Sequence, residues 1–137
     1  SLARLLNPLK ARCGLQSIFH PNYQPIHQQA NVLLGQHALV IKGDGGELEV
    51  RPEVTDTVMG ATAGQAGDER WDAQIERQVK APTLEPERLL AVWGGREHDL
   101  YGEQAILATI ALGLRGLGSS YEHAFQNAQQ VWQSRLT

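Results

Sequence analysis

The chain has 137 residues, 42% of them hydrophobic, which is the size and composition of one domain with its own core. A single cysteine, Cys13, excludes an internal disulfide and a cysteine-built zinc site, and no apolar run reaches the ~20 residues that span a bilayer. The net charge of −3 hides an asymmetry, because all 15 acidic residues lie from Asp44 onward while residues 1–43 hold Arg4, Lys10, Arg12 and Lys42 with no acid among them. That basic front is a candidate surface for phosphate groups or a nucleic-acid backbone. With no leader pattern at its start, the expectation is a soluble, cytoplasmic protein folded as one α/β domain over residues 1–137.

In chain order, Leu2, Leu5, Leu6 and Leu9 recur at helical spacing but Pro8 interrupts them, so a short broken helix is predicted. Leu15 to Phe19 alternates and reads as a strand, and His20-Pro21-Asn22-Tyr23 turns the chain into a helix from about Gln24 to Leu34. Ile26, Ala30, Leu33 and Leu34 form the apolar stripe expected to face the core, and Gly35 stops the helix. A buried strand over His37 to Lys42 completes a βαβ unit. Such units pair their strands in parallel, and the expected architecture is a mainly parallel sheet with helices on both faces.

A further strand is predicted from Val54 to Met59, followed by the small-residue run Gly60 to Gly67 as a mobile surface loop. Trp71 to Val79 alternates weakly and reads as another strand; Pro82 and Pro86 frame a short helix from Glu87 to Trp93, closed by Gly94-Gly95. Tyr101 to Leu117 is apolar almost all round and should be the central packing helix, with Ile106, Ile110 and Leu114 buried beside Val40 and Ile41 of the core strand. The last helix opens on Ser119-Ser120-Tyr121-Glu122, a capping-box pattern, and carries Ala124, Phe125, Ala128, Val131 and Trp132 on one stripe.

The chemistry is expected where the core strand ends. Gly43, Asp44, Gly45 and Gly46 form a ligand loop at the carboxyl end of that strand, the end at which open α/β sheets bind their ligands. Its carboxylates suit a hard cation such as Mg²⁺ better than a bare phosphate, and neither glycine spacing of the dinucleotide or P-loop kind is present. Glu47 and Glu49, two apart, would share a face if the segment were a strand, and are the candidate metal ligands. His20, His27, His37, His98 and His123 show no metal-ligand spacing, and no serine or cysteine is tied to a base, so no catalytic residue is assigned.

These segments resemble the anthranilate phosphoribosyltransferase family, the family 3 glycosyltransferases with a nucleoside-phosphorylase-like fold. Leu6-Asn7-Pro8 looks like that family's leucine-asparagine-proline segment, Val40-Ile41-Lys42-Gly43 like the strand leading to its acidic metal loop, and residues 101–135 like its carboxyl-terminal helices. The resemblance implies pentosyl transfer from phosphoribosyl diphosphate held by Mg²⁺, in a homodimer. Where the family has an adjacent Asp-Glu pair, Leu48 stands at the aspartate position and only Glu49 remains. The family's glycine-rich diphosphate loop and amino-terminal helical domain would precede Ser1, which makes the chain resemble a carboxyl-terminal half that is not catalytically competent alone. The His20-Pro21-Asn22-Tyr23 turn and Gly46-Glu47 look most like a paralogous branch linked to nucleic-acid binding. For that branch the resemblance implies a sequence-nonspecific, non-enzymatic nucleic-acid binder that uses Arg4, Lys10, Arg12 and Lys42.

Overall fold

The computed structural model describes residues 2–79, 83 and 85–136. Four strands form one sheet in the order β1-β2-β3-β4, with β1 over Gly14–Ile18, β2 over Ala38–Lys42, β3 over Asp56–Thr62 and β4 over Gln65–Trp71. Helix α1 spans Gln24–Leu33, α2 Pro86–Trp93, α3 Leu100–Gly116 and α4 Tyr121–Ser134.

The β1-α1-β2 unit forms as expected, with its strands parallel in the register Gly14↔Ala38 to Ile18↔Lys42. Its crossover helix ends where Gly35 takes φ 64°, and the Gly35 and Gln36 amides donate back to the Val32 and Asn31 carbonyls. The expectation of a mainly parallel sheet is not met. Both β2–β3 and β3–β4 are antiparallel, so the sheet is mixed and mostly antiparallel. A parallel return needs a long crossover, usually a helix, and among the described residues no α-helix lies between β2 and β3 or between β3 and β4.

Two further expectations are corrected between residues 56 and 79. The run Gly60 to Gly67 is not a loop; Gly60, Ala61 and Thr62 end β3 and Gln65, Ala66 and Gly67 begin β4. Only Ala63 and Gly64 turn the chain, with φ of 50° and 75°, the positive pair of a two-residue hairpin turn whose twist suits its strands. The run has one β-branched residue, Thr62, and cross-strand pairing with β2 and β4 makes it strand all the same. The strand expected over Trp71 to Val79 is instead the end of β4. Beyond Trp71 the backbone leaves the sheet, and the Gln74 amide donates to the Pro52 carbonyl and the Gln78 amide to the Glu53 carboxylate.

Helix α1 is inverted relative to its apolar pattern. Gln24, Gln28 and Asn31, at helical spacing, face the sheet, while Ile26 and Leu33 are 59% and 86% exposed. Each buried amide is satisfied. Gln24 donates to the carbonyls of Val40 and Thr57, Gln28 to the Gly60 carbonyl and the Asp68 carboxylate, and Asn31 to the Gln16 side chain and the His27 carbonyl. Amides that reach strand carbonyls lose little on leaving water, which is why this face can lie inside.

The main core lies on the opposite side of the sheet. Leu39, Ile41, Val58 and Trp71 pack against Ala111 and Leu112 of α3 and Ala124 and Ala128 of α4. Val40 and Ile41 are buried as expected, but Ile106, Ile110 and Leu114 are only partly so; the most buried positions of α3 are Ala105, Ala108, Ala111, Leu112 and Gly116. Small residues let α3 and α4 approach closely, leaving the bulky side chains of a nearly all-apolar helix at the margins. Asp99 caps α3 by accepting from the Gly102 amide, and Glu103 accepts in return from the Asp99 amide. The cap of α4 is Ser120, which accepts from His123, one residue later than the Ser119-to-Glu122 pattern predicts. Pro86 opens α2, whose end meets α4 through the Trp93–Trp132 edge contact and through Arg135, which donates to the Val92 and Trp93 carbonyls; Pro82 lies outside the described residues. None of the helices among the described residues is long and apolar enough to cross a membrane.

Candidate functional site

Strands β1 and β2 run parallel, so their carboxyl ends open on the same edge, and the chain leaves both through polar, aromatic turns. From β1 it passes Phe19 and His20 into a short 3₁₀ turn, Pro21–Tyr23, that leads directly into α1. From β2 it passes Gly43 into a second such turn, Asp44–Gly46, with Gly45 and Gly46 at φ 57° and 87°.

The two exits are fastened together. Ser17 donates through Oγ to the Glu47 carbonyl at 2.6 Å, and Lys42 donates to the Gly43 carbonyl at 2.9 Å. Gly43 is buried between them, and a Cβ there would fall on the Glu47 carbonyl and Ser17 Oγ. The loop backbone is thus held rather than free to reshape around a ligand.

Against this loop stands an aromatic group formed by Phe19 together with His20 and Tyr23 of the turn that leads into α1. Phe19 and Tyr23 are each 54% exposed, the His20 ring meets Phe19 edge-on at 4.7 Å, and His20 and Tyr23 lie 6.3 Å apart. The Lys42 ammonium sits 5.2 Å from the Phe19 ring centre, within reach of its electron-rich face. The residues His20 to Tyr23 were legible as a turn, but exposure of the rings depends on how the turn packs and has no sequence signature.

The acids of the loop do not gather. Glu47 is exposed, and the Glu49 amide donates to the Glu47 carbonyl at 2.9 Å, a tight turn in place of the extended strand that would set both carboxylates on one face. Among the described residues no group of three or more His, Cys, Asp or Glu side chains is placed to share a metal ion. Mg²⁺ is commonly held by one or two carboxylates completed by waters and substrate phosphates, and of the two candidates Glu47 is exposed while Glu49 lies across the turn from it.

Of the basic front, Lys42 belongs to the site, while Arg4, Lys10 and Arg12 lie exposed on the segment before β1. That segment is folded by Asn7, which donates to the Ala11 carbonyl and accepts from the Ala11 amide, so the asparagine of Leu6-Asn7-Pro8 is a structural clamp here. Burial holds the His27 imidazole below its ordinary pKa, helped by nearby positive charge that includes Arg4. A depressed histidine favours the fold when neutral, and that contribution is lost as pH falls from its unfolded value of ~6.5 through the folded one. An NMR titration should therefore place the His27 midpoint below 6.5; a midpoint at or above that value contradicts the geometry. Burial likewise raises the Cys13 thiol, partly offset by the Leu39 backbone, which disfavours its thiolate.

Compared with models of protein families and with characterised proteins, the sequence matches none.

Proposed function

We propose that this chain is a nucleic-acid-binding module on an anthranilate phosphoribosyltransferase-like scaffold, and that it binds without transferase chemistry. The observation that carries the reading is the exposed Phe19–His20–Tyr23 group beside Lys42 at the carboxyl ends of β1 and β2. Exposed rings next to basic side chains are what single strands require, since bases stack on the rings in any sequence while Lys and Arg neutralise phosphates. Arg4, Lys10 and Arg12, with no acid among the first 43 residues, add a second cationic patch on the segment that enters β1 at its amino end. Phosphoribosyl transfer finds less support, because Glu47 and Glu49 flank a tight turn and no third His, Cys, Asp or Glu joins them among the described residues.

Fluorescence anisotropy with a labelled oligodeoxythymidylate over a salt series tests the reading. Binding should weaken linearly in log–log form, and changing Arg4, Lys10 and Arg12 together to glutamine should reduce the slope by about 2, at roughly 0.7 per lost single-strand contact. Phe19→Ala and Tyr23→Ala should weaken binding with the slope unchanged. Binding indifferent to salt and to both sets of changes refutes the proposal, and turnover of phosphoribosyl diphosphate with an aromatic amine by a protein that ignores oligonucleotide would favour the transferase.

A further inference from the structure

At the opposite end of β2 the sheet carries a groove of about 380 Å³, lined by His37, Leu39, Val58, Gly60, Gly67 and Arg115 among others. Its volume falls in the range of small-molecule sites, about 300–1,000 Å³. The groove exists because α3 stops short. Leu112 still covers Leu39 and Ile41, but Arg115 in the last turn reaches out to Glu69 at 2.9 Å, and Gly118 then turns the chain away at φ 110°.

The floor is a pair of glycines directly opposite each other, Gly60 of β3 and Gly67 of β4. They differ in what surrounds them. A Cβ on Gly60 would press on the Gly67 carbonyl at 3.0 Å and on Leu39 at 3.3 Å, whereas a Cβ on Gly67 would meet nothing within 4 Å. Gly60 is thus required by packing. Gly67 is not, and its missing side chain leaves flat peptide surface facing open space. Glycine in a strand interior weakens the strand and marks places where a ligand approaches the backbone closely, and paired strand glycines are stabilised when an aromatic ring covers them.

We propose that this groove binds a flat, uncharged heteroaromatic ring with hydrogen-bonding groups on its edge, stacked over the Gly60–Gly67 backbone. The absence of negative charge on the ring follows from the walls, where no cation is left unmatched among the described residues. The Arg115 guanidinium is matched by Glu69 and also donates to the Ser119 carbonyl, and the Asp68 carboxylate is engaged by Gln28 from the α1 side of the sheet. The capacity for edge hydrogen bonds comes from the His37 imidazole and the Thr62 hydroxyl, which line the groove and make no side-chain hydrogen bond among the described residues. Leu39 and Val58 supply the apolar wall. The site is independent of the Phe19–Lys42 surface and of the reading given to it.

Amide chemical shifts of the labelled chain during titration with adenosine test the proposal. Changes should concentrate at Leu39, Gly60, Gly67, Arg115 and Gly118, and Gly67→Leu, which fills the groove from an unstrained strand position, should weaken binding at least tenfold. If Gly67→Leu fails to fold, Gly67→Ala makes the same test with a smaller side chain. Absence of shifts at these amides at millimolar adenosine, or undiminished binding by a folded Gly67 variant, overturns the site. An oligodeoxyadenylate run in parallel separates two sources of the same ring: groove shifts with the nucleoside alone assign a free small molecule, and shifts with both assign a base that a strand can also present.

Discussion

Leu112→Ala should destabilise the chain by about 2–5 kcal/mol. Leu112 is fully buried at the centre of the cluster that joins Leu39, Ile41, Val58 and Trp71 of the sheet to Ala124 and Ala128 of α4. The other fully buried members of the cluster on α3 and α4 are the alanines Ala111, Ala124 and Ala128, which cannot extend into the space the leucine leaves, so the cavity term adds to the lost transfer free energy. Urea unfolding monitored by tryptophan fluorescence measures the change. Ile110→Ala, at a partly buried position on the same helix, should cost clearly less. Equal losses at the two positions would contradict the packing described.

Helix α1 supplies the second large effect, and it runs against ordinary hydrophobic intuition. Gln28→Leu should cost about 1–3 kcal/mol although it replaces a polar residue with an apolar one at a buried position. Gln28 is 4% exposed and donates to the Gly60 carbonyl at 2.9 Å and to Asp68 at 2.7 Å. Leucine would leave that carbonyl buried without its donor, and an unmet buried acceptor costs more than the added methyl groups return. Leu33→Ser on the outward face should change stability by no more than about 0.5 kcal/mol. If Leu33→Ser proved the more damaging of the two, the helix would be turned the other way, with its apolar stripe inward.

The inversion of α1 also marks the limit of sequence reading. Its place and ends were legible: the His20-Pro21-Asn22-Tyr23 turn before the start, Gly35 at the stop and apolar periodicity between them locate a helix correctly. Which face lies inside was not legible, because periodicity reports only that the helix has two faces. The choice was made by carbonyls of β2 and β3 at Val40, Thr57 and Gly60, which come within reach of three amides only once the sheet has formed. The candidate site divides in the same way. The Gly43–Gly46 loop at the carboxyl end of β2 is where the sequence placed it, but the tight turn that parts Glu47 from Glu49, and the exposure of Phe19 and Tyr23, arise from packing between loops that are distant in sequence.

By itself, then, the sequence determined the β1-α1-β2 unit, the buried strand Ala38–Lys42, the two final helices and the acid-free basic front, since each is written in local periodicity, in glycine and proline stops, or in charge alone. Tertiary structure alone decided the rest. It set the antiparallel return of β3 and β4, because strand pairing depends on what closes the sheet and not on the strand's own residues. It buried the amide face of α1, because buried polar groups follow their hydrogen-bond partners. It opened the groove over Gly60 and Gly67, because the reach of α3 across the sheet fixes where covering ends.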